Sequence, residues 1–231
     1  MNIISIIPAR GGSKGIPRKN IKLLNGKPLI SYSIDASNSC SLIDETYVST
    51  EDAEISEISK GNNAEVIERP DELAGDDSSS IDVILHVLDY LENRGELPDL
   101  FVLLQPTSPL RTSEDIEASI NLFLESDCDS LVSVCELDHR SLLNFSLEDG
   151  FLVQNNNEAL FNSRRQDIPT YYSLNGAIYI TTPEFIRKNK SFYSDKTIPH
   201  VMSKEKSIDI DTSFDFKLAE FLLNECDDVK L

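Results

Sequence analysis

The sequence has no run of 18 apolar residues. No basic segment followed by an apolar stretch precedes the strand-like residues at its start, so neither a membrane span nor a secretion signal is expected. None of the four cysteines (Cys40, Cys128, Cys135, Cys226) forms a C-x-x-C pair or stands at zinc-site spacing from a histidine. Reduced thiols in a cytoplasmic protein are the simpler expectation. His86, His139 and His200 have no partner spacing for ligation or catalysis and are expected at the surface or in packing. Both G-x-x-x-x-G-K-[ST] and G-x-G-x-x-G are missing, which argues against a P-loop ATPase and a Rossmann dehydrogenase. Positive charge is scarce as well. Only 21 Lys and Arg stand against 40 Asp and Glu, a net charge of -19, so no basic face is expected for nucleic acid or an anionic membrane. Neither internal repeats nor low-complexity tracts occur.

What the chain does contain is 231 residues, 40% hydrophobic and 26% charged, enough to bury a core in one α/β domain with an appended piece. Its few cations are unevenly placed. Arg10, Lys14, Arg18, Lys19, Lys22 and Lys27 fall in the first 34 residues, a segment without Asp or Glu. There a β-branched apolar run over 3–7, stopped by Pro8, reads as a buried strand. It opens into A-R-G-G-S-K-G-I-P-R-K-N, a loop with three glycines (Gly11, Gly12, Gly15) and four cations. Glycines let backbone amides approach an anion while fixed charge surrounds it, a combination suited to a triphosphate. A merely solvated cationic loop is the alternative, and it leaves the glycines unexplained.

Further on, the pattern predicts helices over 29–38, 51–61, 81–93, 114–125, 183–189 and 214–226. Strands are predicted over 43–49, 64–67, 100–104, 130–135 and 173–181. Gly61 is expected as a C-cap, and Ser78, Ser79 and Ser80 offer N-caps for the helix that follows them. This alternation implies right-handed crossovers and a mostly parallel sheet with helices on both faces. Ligands of such sheets gather at the carboxyl ends of strands, so the loops after Ile7, Ile67 and Leu104 are expected to converge on one crevice. Residues 141–145 and 150–153 alternate like a small hairpin and lead into a polar stretch, 154–166. The division expected is a core of 1–136 and 171–231 with an insert, 137–170. With little core of its own, the insert either packs against a second copy in a symmetric dimer or lies as a surface flap.

Two constellations carry chemistry. Amides near Gly11 to Lys14 suit β- and γ-phosphates, with Arg10 and Lys19 addressing the α-phosphate, and such a loop favours phosphoryl displacement. Asp209 and Asp211 of D-I-D share one side of an extended segment and suit Mg2+, which takes one or two carboxylates plus waters and phosphate oxygens. Capping of the next helix by Asp211, with Asp209 solvated, is the competing assignment.

Five blocks stand in order between residues 3 and 212: I-I-P-A-R-G-G-S-K-G-I-P-R-K-N, R-P-D-E-L-A-G-D-D-S-S-S, L-L-Q-P-T-S-P-L-R, N-G-A-I-Y and S-I-D-I-D-T. Together they resemble the acylneuraminate cytidylyltransferases, or CMP-sialic acid synthetases. The resemblance implies a Rossmann-like α/β nucleotidyltransferase fold and a homodimer joined through the excursion. It also implies a Mg2+-dependent reaction of CTP with a nonulosonic (sialic-type) acid, giving pyrophosphate and a CMP-sugar for surface glycans. N-acetylneuraminate is the first-choice sugar, with legionaminic and pseudaminic acids as alternatives. A catalytically silent nucleotide-binding module is the alternative of another class, and Arg10, Lys19 and both aspartates speak against it. Carried over by motif, the nucleotide falls to Arg10, Gly12, Ser13, Lys14, Lys19, Asn20, Arg69, Ser78 and Ser80. The sugar falls to Gln105, Arg165, Asn175, Phe192 and Tyr193, although two loop aromatics also suit packing. Asp209 and Asp211 would be the metal pair, and Arg10, Lys19, Asp211 and Arg164 the catalytic set, with Asp211 or a metal-bound water as base.

Overall fold

The computed structural model describes residues 1–75, 78–154 and 168–228, apart from the side chains of 139, 140 and 226–228. In chain order, β1 (Ile3–Pro8) precedes a small hairpin of β2 (Leu23–Leu24) and β3 (Lys27–Pro28). Then come α1 (Leu29–Asn38), β4 (Glu45–Thr50), α2 (Ala53–Gly61), β5 (Glu65–Glu68), α3 (Ser80–Asn93), β6 (Leu100–Leu103), α4 (Ser113–Glu125) and β7 (Ser130–Glu136). A hairpin of β8 (Phe145–Glu148) and β9 (Phe151–Gln154) follows, and the chain returns through β10 (Tyr172–Thr181), α5 (Pro183–Asn189), β11 (Thr197–Met202) and α6 (Ser213–Asp228).

Seven strands form one sheet in the order β11-β7-β10-β6-β1-β4-β5. β10 runs antiparallel to both its neighbours, and the other pairings in the sheet are parallel. The alternation of β1 divides the core. Ile3 and Ile7 face Ile30 and Ile34 of α1 and Ile116 and Ile120 of α4, whereas Ile4 and Ile6 face Ile84, Val87, Leu88 and Leu91 of α3. Burying each such side chain contributes about 1.5–3 kcal/mol, so β1 is held from both sides.

Helix starts follow side-chain caps. Asp52 accepts from the amides of Glu54 and Ile55 at α2, and Ser79 accepts from Asp82 at α3. Thr112 and Asp115 cap α4 reciprocally, and Thr182 caps α5 ahead of Pro183. Three local expectations shift. Gly61 is the last residue of α2 rather than its C-cap, because Asn63 takes the left-handed conformation (φ 60) that asparagine tolerates. The hairpin begins at Phe145 because residues 139–142 form a 3-10 turn, and its tip is Asp149-Gly150, both at positive φ (49 and 85). β11 was not foreseen: it carries Pro199 and His200, which an edge strand accommodates. Cys40, Cys128 and Cys135 are free thiols. Among the described residues no helix is long and apolar enough to cross a membrane.

Candidate active site

The loops after β1, β5 and β6 converge, as expected, on one cleft of about 390 Å3. Its wall holds Arg10, Gly12, Ser13, Lys19 and Asn20 from the first loop, Arg69, Ser78 and Ser80 from the second, and Gln105 and Thr107 from the third. Asp209 and Asp211 close one side.

A small core fixes how the glycine-rich loop meets the D-I-D segment. Ile16 of the loop and Ile210 are buried together with Leu24, Leu29, Phe216 and Ala219 beneath α6. Burial of Ile210 turns its neighbours Asp209 and Asp211 the other way, into the cleft. At Gly15 the loop backbone approaches the Asp211 carbonyl so closely that a Cβ has no room. Lys19 bridges the two segments, its Nζ donating to the Ile210 carbonyl at 2.6 Å and to Asp211 Oδ1 at 3.1 Å. Asn20 Nδ2 donates to the Arg10 carbonyl at 2.9 Å, pinning the start of the loop. On its outer side Arg18 pairs with Asp52 and Glu54. The Gly11 amide, expected among those facing phosphates, donates instead to Glu51 Oε1 at 2.6 Å.

The competing assignment for Asp211 fails on geometry. Thr212 and Asp215 cap α6 reciprocally: the Asp215 amide donates to Thr212 Oγ1 at 3.3 Å and Asp215 Oδ2 accepts from the Thr212 amide at 2.7 Å. Asp211 therefore keeps its carboxylate at the cleft, 75% exposed. Burial pushes the Asp209 carboxyl above its ordinary range, a Thr107 hydrogen bond opposes this, and the negative charge of Asp211 adds to it. Two hard oxygen donors of like charge on one wall fit a Mg2+ ion that completes its shell with phosphate and water. Among the described residues no group of three or more His, Cys, Asp and Glu could hold a metal on protein ligands alone.

At the other end, Arg69 is buried and its Nη2 donates to the Ser49 carbonyl at 2.6 Å; burial lowers its pKa, and Glu51 opposes that shift. Arg10 Nη1 reaches the Gly75 carbonyl at 3.2 Å, and Ser78 Oγ donates to the Glu72 carbonyl at 2.9 Å.

Several expected residues stand elsewhere. Lys14 is exposed on the loop and does not line the cleft. Phe192 is corrected from a sugar contact to a core residue: it is buried against Phe101 and Tyr179, with ring centroids at 6.1 and 5.1 Å. Tyr193, half-exposed, lies off the wall. Asn175 is buried and structural. Its Oδ1 accepts from Ser133 Oγ at 2.5 Å and its Nδ2 donates to Ser207 Oγ at 2.9 Å, tying the irregular stretch of β10 to β7 and to the approach to D-I-D. Arg164 and Arg165, with most of the polar stretch of the insert, lie outside the described residues. Residue-by-residue reading missed Glu51, Thr107 and Arg111. Arg111 was signalled as the last residue of L-L-Q-P-T-S-P-L-R and Glu51 by its place just after β4.

A mostly parallel seven-stranded sheet with a cationic, glycine-rich cleft at its carboxyl edge defines an α/β protein of the Rossmann-like nucleotidyltransferase class. Residues 4–227 match the cytidylyltransferase family model, and the chain belongs to that family. It is 38% identical over 219 residues to an N-acylneuraminate cytidylyltransferase of Streptococcus agalactiae serotype V, covering 94% of this chain and 52% of the relative. The chain thus spans about half the length of that relative. It is also 38% identical to the CMP-N,N'-diacetyllegionaminic acid synthase of Legionella pneumophila, covering 96% of this chain and 97% of that one. Among solved structures, a CMP:2-keto-3-deoxy-manno-octonic acid synthetase complexed with CTP superimposes with a TM-score of 0.74 over 97% of this chain and 99% of the other; at 14% identity that likeness concerns the fold.

Proposed function

We propose that the cleft transfers the cytidylyl group of CTP to a nonulosonic, sialic-type acid and releases pyrophosphate. The observation that carries this reading is the joint made by Gly15 and Lys19, which sets the cationic loop directly against Asp209 and Asp211. Cations set beside two carboxylates suit a triphosphate together with Mg2+, and displacement at the α-phosphorus draws on both. The anomeric hydroxyl oxygen of the sugar bonds to the α-phosphorus while the bond from that phosphorus to the bridging β-oxygen breaks, with inversion. The hydroxyl proton passes to a base, for which Asp211 is the candidate. Arg10 and Lys19 offset charge on the transferred group and on the leaving pyrophosphate. Mg2+ on Asp209 and Asp211, when bound, supplies further charge neutralisation. Arg69, Ser78 and Ser80 form the nucleotide end, and Gln105, whose amide both donates and accepts, forms the sugar end.

N-acetylneuraminate is the first sugar in this reading. N,N'-diacetyllegionaminic acid is the second, favoured by the Legionella relative being matched along nearly its whole length. A homodimer through the β8–β9 hairpin is part of the proposal, since Leu147, Phe151 and Leu152 are 74%, 75% and 70% exposed there. The test is pyrophosphate release with CTP and Mg2+ over a panel of N-acetylneuraminic, N,N'-diacetyllegionaminic and pseudaminic acids. Release that needs CTP, metal and sugar together supports the reading; nucleotide binding without release for any sugar supports the silent module.

A further inference from the structure

Arg111, in the loop between β6 and α4, is 2% exposed, and among the described residues no carboxylate forms an ion pair with it. Asp115, which acts on it from a distance, is held by Lys206 at 3.0 Å. An unpaired buried cation is costly, and it persists where its donors are spent on groups that need holding. Nη1 donates to the Ala177 carbonyl at 2.9 Å and to the Gln105 carbonyl at 3.3 Å, and Nη2 donates to Ser33 Oγ at 2.6 Å. Ser33 Oγ in turn donates to the Gln105 carbonyl at 3.2 Å, whereas Nε is buried without a partner.

Two of these partners, Gln105 and Ala177, belong to segments that meet at one end of the cleft, and Ser33 stands on α1. Gln105 follows β6, and Ala177 follows Gly176, which takes φ +74 in the irregular stretch of β10. A Cβ on Gly176 would lie 2.6 Å from Gln105 Oε1 and 3.6 Å from Asp209 Oδ2, so the Gln105 side chain rests on the glycine backbone beside the aspartate. One planar guanidinium therefore fixes the spacing between the strand end that carries Gln105 and the backbone on which its amide lies. We propose that Arg111 is a positioning residue for the sugar: it sets the Gln105 amide by holding the Gln105 and Ala177 carbonyls together, without itself reaching the cleft. This rests on the reading of Gln105 as the sugar end.

The consequence is a selective defect. Arg111→Met keeps the length of the stem and removes the fork, and the expected result is a sugar KM raised by roughly tenfold or more while the CTP KM stays within about twofold. The substrates are varied one at a time, using whichever nonulosonic acid is active in the panel. Gln105→Ala is expected to show the same split, and the double variant to be no worse than the poorer single one, since both remove one interaction. Should Arg111→Met fail to melt cooperatively, Ser33→Ala removes one bond of the same network and is read the same way, with a smaller rise in sugar KM expected. Equal rises in both KM values, an unchanged sugar KM in a folded variant, or additive effects with Gln105→Ala would overturn the assignment. Absence of release by the wild-type chain with every sugar would remove the underlying reading, a result that the variants alone cannot produce.

Discussion

Replacing Gly15 by Ala tests the joint on which the proposed chemistry depends. The Cβ added there would lie 3.5 Å from the carbonyl carbon of Asp211, with the carbonyl oxygen between them. A C=O bond of about 1.2 Å directed at the new methyl puts that oxygen roughly 1 Å inside an ordinary carbon–oxygen contact of about 3.3 Å. Neither atom is the end of a flexible side chain, so the loop and the D-I-D segment must part by about that amount. The Lys19 bridge, now at 2.6 and 3.1 Å, then opens beyond hydrogen-bonding distance at Asp211. A displacement of about 1 Å at reacting groups costs on the order of a hundredfold in rate, or about 2.7 kcal/mol of barrier. The clash also costs stability, about 1–3 kcal/mol as for other overpacked sites, because Ile16 and Ile210 pack across the same two segments, so kcat is read under conditions where the variant is fully folded. The assay is kcat from pyrophosphate release, set beside a thermal melt. Gly61→Ala is the control: nothing lies within 4 Å of its Cβ, it sits in α2, and it should gain about 0.5–1 kcal/mol at unchanged rate. A Gly15→Ala protein with wild-type kcat would show that the spacing between the loop and the D-I-D segment does not set the rate.

Asp211→Ala is expected to abolish turnover while the melt moves by no more than about 0.5 kcal/mol, since the carboxylate is largely exposed; retained turnover would deny Asp211 its role. Lys19→Ala should lower kcat on the order of a hundredfold against a stability loss of about 1 kcal/mol from the bond to the Ile210 carbonyl, and unchanged kinetics would contradict its place at the centre of the loop. The Arg18 hydrogen bond holds the Asp52 carboxyl below its ordinary range, against the effect of burial. A depressed folded pKa contributes stability above the unfolded value and loses it as pH falls through the folded one. Arg18→Ala should therefore cost about 0.5–1 kcal/mol at pH 7, a gap that narrows as pH drops below about 4. Denaturant unfolding at the two pH values measures it, and a gap independent of pH would count against the pairing.

The outline of the fold was legible where local chemistry and tertiary packing agree. The apolar run of β1, its stop at Pro8 and the αβ alternation lead directly to a parallel sheet with the cleft at its carboxyl edge. β11 was not legible, because an edge strand needs only a partly apolar face and here includes Pro199 and His200. Nor was the insertion of β10 between β6 and β7, since strand order depends on contacts between residues far apart in sequence. At the cleft, Arg10, Lys19 and the D-I-D pair were legible from charge and spacing, whereas Lys14 and Arg18, equally cationic in the sequence, stand off the wall. Asn175 and Phe192 were misplaced because a motif does not say which way a side chain faces: one closes a hydrogen-bond network across β7 and β10, and the other fills the core. Spacing alone does not separate Asp211 from Thr212 as the cap of α6, and it is Thr212 and Asp215 that cap it. Arg111 was marked in the sequence only as the last residue of L-L-Q-P-T-S-P-L-R, and its role was not legible because its partners, Ser33 and Ala177, come together only in the folded chain.

One cleft is proposed to join CTP to a nonulosonic acid through the loop and the aspartate pair. The most direct measurement is pyrophosphate release by the purified chain with CTP, Mg2+ and the sugar panel, each component omitted in turn. Release is expected only when all three are present, with at least one sugar of the panel active, and is expected to be lost in Asp211→Ala. Release from CTP without sugar, or none with any sugar while CTP binds, would contradict the proposal.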